Sequence, residues 1–141
     1  MEGMVPDMRR VFGLLVLLAG LLLTPRASLA AERYLAFAAL EKAEEVTAEV
    51  NLREPTGYQY PTGTLQLVVT GAPDTCTFQL LGRLRDAAAY DVLVEITGGD
   101  CVDGKMIHFE SKAVDVIAGK LDAIDGGTDP TVQGLVKLVT R

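Results

Sequence analysis

The sequence has no tryptophan, a single histidine and only two cysteines. Each scarcity excludes something. A structural zinc site takes four nitrogen or sulfur ligands, and Cys76, Cys101 and His108 fall short of that set. His108 is the one side chain whose ordinary pKa lies near neutrality, which makes it the natural general base. No serine or cysteine accompanies it in a sharp glycine-flanked turn such as G-x-S-x-G. The spacing therefore offers no catalytic residue and calls for no cofactor, and His108 reads as an exposed strand residue between Ile107 and Phe109.

Positive charge is scarce as well. Setting aside Arg9, Arg10, Arg26, Glu2 and Asp7 from 13 basic and 19 acidic residues leaves residues 31–141 with a net charge of −7. Such a surface has no Lys/Arg excess with which to displace counterions, so nucleic acid and anionic headgroups are disfavoured partners. Two acidic loops remain as candidate cation sites. Asp100 and Asp103 flank the first, and Asp122, Asp125 and Asp129 surround Gly126-Gly127 in the second. Neither follows the D-x-[DN]-x-[DN]-G spacing of a calcium loop, and Asp with Gly is ordinary turn chemistry. No metal ligand is assigned.

The one long apolar run lies at the start. Arg9 and Arg10 precede a 13-residue apolar stretch, Val11–Leu23, which Thr24-Pro25-Arg26 ends. Ser28 and Ala30 then put small side chains at the third and first positions before a cut between Ala30 and Ala31. A basic start, a short apolar stretch and small residues at the cut define a secretory signal peptide. A membrane-spanning helix needs roughly 20 apolar residues, so a cleaved leader over residues 1–30 is expected rather than an anchor. No stable membrane span remains after the cut. The expected location is periplasmic or extracellular, with residues 31–141 as a single domain.

Export changes the meaning of the two cysteines. In an oxidising compartment Cys76 and Cys101 have only each other to pair with. Closing that loop stabilises the fold by roughly 3 kcal/mol in the chain-entropy view.

The rest of the chain alternates. Residues 31–45 are rich in alanine and glutamate and read as a short helix or loosely ordered lead-in. Val46, Ala48, Val50 and Leu52 alternate with polar residues and predict a strand. Further strands are expected at residues 64–70, 76–84, 92–96, 105–110 and 132–140, with a bulge at Gly82. If 76–84 and 92–96 form a hairpin centred near residue 87, Cys76 falls opposite residue 98. A bridge to Cys101 then pins the hairpin's open end to the loop 98–104. Residues 112–124 fit a helical face or a bent strand, and the strand-like surroundings favour the strand. The pattern predicts a mostly β fold, a small antiparallel β-sandwich or barrel of about six to eight strands.

Pro55-Thr56-Gly57-Tyr58-Gln59-Tyr60-Pro61-Thr62-Gly63 repeats Pro-Thr-Gly around two tyrosines. Tyr58 and Tyr60 on restricted backbone make the best binding candidates by sequence, against the plainer reading in which they cap the core's edge. These features point to an exported non-catalytic β domain that binds or assembles with another envelope or cell-surface protein. The alternative is a small-ligand or carbohydrate-binding module using the Tyr58/Tyr60 loop, and a small secreted enzyme stands third.

Overall fold

A computed structural model describes residues 31–53, 60, 62–110 and 114–140. Residues 1–30, expected to be a leader, and Tyr58 lie outside the described residues. Among the described residues, nine strands and one short helix occur in the order β1 (Glu32–Ala36), β2 (Glu45–Val46), β3 (Val50–Asn51), β4 (Thr62–Thr70), β5 (Thr75–Arg83), β6 (Asp91–Thr97), α1 (Gly98–Val102), β7 (Met106–Glu110), β8 (Val116–Asp125) and β9 (Thr131–Val139).

These strands form two antiparallel sheets. Sheet A runs β1-β9-β4-β7, and sheet B runs β2-β8-β5-β6 with β3 also on β8. Counting β2 and β3 as one interrupted strand, the pairs are nested: β1 with β9, β2/β3 with β8, β4 with β7 and β5 with β6. The chain is thus one long antiparallel hairpin wrapped around itself. That is the jelly-roll arrangement of a β-sandwich, in which both sheets bury one face against the other.

Phe78 of β5 fills the centre of the sandwich and is fully buried. A side chain at Gly119 of β8 or Gly134 of β9 would come within 2.7 or 2.8 Å of its ring, so both sheets keep a glycine where the ring passes. Leu65, Leu80, Ile117 and Leu138 complete the layer around it.

Three expectations need correction. Residues 32–36 form a strand, not a helix. Alanine and glutamate favour helix only weakly, and pairing of β1 with β9 overrides that preference by burying Phe37 and partly burying Leu35. The strand expected over residues 46–52 is broken into β2 and β3. Val46 is 47% exposed, while Thr47 turns inward, donates its N–H to the Gly119 carbonyl and accepts the Gly119 N–H through its hydroxyl. A side-chain oxygen there replaces a missing ladder acceptor, which is why a polar residue is tolerated inside. The loop expected at residues 98–104 begins as the helical turn α1, entered through Gly98 at φ +58.

The hairpin register follows the expectation closely. Thr77 pairs with Thr97, so the hairpin is centred on residue 87 at its open end. A shift between Leu80 and Leu81 supplies the bulge, one residue before the expected Gly82. Residues 116–125 are strand throughout.

Candidate binding face

Strand register fixes which side chains share the outer face of sheet A. One row across the four strands is Tyr34, Lys137, Thr64 and His108; the next is Ala36, Leu135, Gln66 and Met106. A strand's period of two places both rows on the side away from the core. Between them lies an open groove of about 530 Å³ with mainly apolar walls. Tyr34 is 68% exposed and Met106 53%, and Val68, at 41%, extends the apolar surface along β4.

Polar groups on this face are tied to one another. Lys137 Nζ lies 2.9 Å from Glu32 Oε1 and 5.3 Å from the centre of the Tyr34 ring. The Tyr34 hydroxyl donates to Glu32 Oε2 at 3.0 Å. Hydrogen bonds from Lys137 and then Tyr34 hold the Glu32 carboxyl below its ordinary pKa. The same contact with Glu32, followed by Tyr34, raises the Lys137 ammonium. These groups are solvent-exposed, so they order the side chains more than they stabilise the fold.

Thr64 Oγ1 and His108 Nδ1 share a 2.7 Å hydrogen bond across β4 and β7. A hydroxyl beside an imidazole is the start of a nucleophile–base pair, but such a pair also needs a group to orient the base. Among the described residues no carboxylate bonds the imidazole, and the pair stands open to water on the sheet surface. Its chemistry is that of a cross-strand polar contact.

The remaining sequence candidates fall elsewhere. Tyr60 is 3% exposed and belongs to the core cluster, so it presents no contact area; this removes it from the expected binding loop. Cys76 and Cys101 are fully buried with their sulfurs 2.02 Å apart, joining β5 to α1 at the hairpin's open end. In the acidic loops Asp100 pairs with Lys105 at 2.8 Å and Asp122 with Lys120 at 2.8 Å. No group of three His, Cys, Asp or Glu side chains able to hold a metal occurs among the described residues. No described helix is long and apolar enough to cross a membrane.

The face was missed by sequence reasoning because its residues come from four strands far apart in the chain. One signal was present. In β9 the inward positions Val132, Val136 and Leu138 are apolar, yet so are the outward Leu135 and Val139. Apolar residues on both phases of a strand mark a face that is not purely solvated.

Comparison with known proteins supports the class that these sheets define, an antiparallel β-sandwich. Two solved structures share it over most of the chain. The SPBc2 prophage-derived protein YomS superposes with a TM-score of 0.52 at 8% identity, covering 83% of this chain and 100% of YomS. The PBSX exported protein XepA gives 0.52 at 15% identity over 82% of this chain, and the match spans 40% of XepA. At such low identity the likeness is one of fold. No protein-family model matches the sequence, and no curated protein matches it significantly.

Proposed function

We propose that this is an exported, non-catalytic β-sandwich domain that assembles with another envelope or cell-surface protein through the outer face of sheet A. The observation that carries the reading is the apolar groove between Tyr34, Leu135 and Met106 on a face that a monomer would leave to water. Exposed aromatic and methionine side chains are the residue types enriched at the centres of protein interfaces. The charge adds chemistry to the partner. An acidic domain with Glu32 and Glu110 at the groove's margin suits an apolar cluster ringed by basic groups. The leader over residues 1–30 supports export, as does the fold shared with XepA, itself described as an exported protein.

The test is crosslinking in the native host followed by mass spectrometry. The expected result is one envelope or surface protein joined to Lys137, beside the groove, with a yield that falls as salt rises. Crosslinks confined to Lys120 on sheet B, or none, overturn the proposal. Intact mass from the same material checks cleavage after Ala30, and its two-dalton change on reduction checks the Cys76–Cys101 bridge.

A further inference from the structure

Sheet edges carry backbone groups that no neighbour satisfies, and proteins usually blunt them with bulges, prolines, lysines or interrupted strands. Sheet B follows that rule. One edge is broken into the two-residue strands β2 and β3, and the other, β6, carries a register shift. β1, at the edge of sheet A, has none of these devices in Glu32-Arg33-Tyr34-Leu35-Ala36. Its two charges are directed elsewhere. Glu32 is held by Lys137, and Arg33 donates to the carbonyls of Asn51 at 2.9 Å and Leu52 at 3.2 Å.

The hydrogen bonds to β9 show which backbone groups point outward. Phe37 N–H donates to Gly134 O and Thr140 N–H to Ala31 O, both at 2.9 Å. In an antiparallel ladder such pairs recur at every second residue. Residues 31, 33, 35 and 37 therefore face β9. Glu32, Tyr34 and Ala36 direct their N–H and C=O groups away from the sheet.

We propose that this edge pairs antiparallel with the β1 edge of a second copy, about a two-fold axis through Tyr34. In that register Tyr34 lies opposite its own counterpart and Glu32 opposite Ala36, so all the outward backbone groups of those residues meet complementary ones. No like charges lie directly opposite: Arg33 faces Leu35. Two tyrosines come together on the outer surface, the aromatic cross-strand pair that stabilises sheets, which gives the most exposed large apolar side chain of the described residues a partner. The two four-stranded sheets become one, and the two grooves open onto a single continuous face.

The purified protein alone tests this, independently of any envelope partner. Sedimentation or light scattering should give twice the chain mass at high concentration, falling to the single-chain mass on dilution. Tyr34→Pro removes one outward N–H without touching the β9 ladder, and proline is tolerated at such edge positions. It should remain monomeric at every concentration with an unchanged circular dichroism spectrum. A wild-type protein that is monomeric at its highest soluble concentration overturns the proposal, as does a dimer that persists in a folded Tyr34→Pro. Should that variant not fold, amide exchange decides. Slow exchange of Glu32, Tyr34 and Ala36 at high concentration, becoming fast on dilution, supports β1 pairing, and fast exchange in a dimer refutes it.

Discussion

The two outer faces of the sandwich solve the same problem differently. Sheet B meets water with ion pairs. Arg83 grips Glu49 at 2.8 Å and lies 5.4 Å from the centre of the Tyr90 ring, whose hydroxyl donates to Glu49. Lys120 bridges Glu44 and Asp122, and Gln79 donates to Glu95 at 2.6 Å. Sheet A has one such cluster, Glu32–Tyr34–Lys137, beside an apolar groove. The exposed apolar side chains of sheet B, Val46 on β2 and Val92 on β6, stand apart on opposite edges of the sheet. A face with unburied apolar area has a reason to be covered.

The contrast can be broken most forcefully at the covalent link between the halves. The bridge fastens β5 of sheet B to α1, which follows β6 directly and connects through residues 103–105 to β7 of sheet A. Replacing both cysteines by serine should cost about 3 kcal/mol in a denaturant melt. Hydrogen exchange should show β7 loosening before β8. If β8 loosens first, the bridge supports sheet B and not sheet A.

Next in size is the face itself. Leu135→Lys places a charge in the middle of the groove and should weaken partner capture at least about tenfold, roughly 1.4 kcal/mol. Gln79→Lys at the corresponding surface of sheet B should leave capture unchanged. Equal losses from the two variants would erase the distinction between the faces.

A smaller effect concerns the edges. Thr47 repairs the break between β2 and β3 by accepting the Gly119 N–H at 2.9 Å. Thr47→Val keeps the shape but leaves that buried donor unpaired, at a cost of about 1 kcal/mol in a denaturant melt. The β1 edge has no equivalent repair, so Tyr34→Phe, which leaves the backbone intact, should cost far less in the same melt.

Least is expected from the charges. Hydrogen bonds from Tyr90, then Arg83, hold the Glu49 carboxyl below its ordinary value of 4.5. A carboxyl depressed on folding contributes stability above its unfolded pKa and loses it as pH falls through the folded one. Glu49→Gln should therefore lower the melting temperature slightly at neutral pH, and the gap from wild type should close below about pH 4.5 in acid melts. A gap that persists in acid would assign Glu49 a role in packing.

Much of this architecture was legible in the residues. Alternation located the long strands, and the spacing around residue 87 placed Cys76 opposite 98, within one helical turn of Cys101. Two parts were not. β1 has the composition of a helix and becomes a strand only because β9 offers a partner from the far end of the described chain. The proposed binding face depends on register between β1, β9, β4 and β7, which local periodicity cannot report. Tyr60 misled for a related reason, since a tyrosine in a proline-rich loop has the same sequence signature whether its ring packs inward or out.

The nesting of the strands also governs when the molecule can form. β9, the last described strand, lies between β1 and β4 in sheet A, so until residues 131–139 have arrived β1 has no sheet partner and β4 has only β7. The closest sequence-local hairpin, β5 with β6, can close early, and each further layer needs a longer loop to be drawn shut. Sheet A is therefore completed last, when β9 inserts between β1 and the β4–β7 pair.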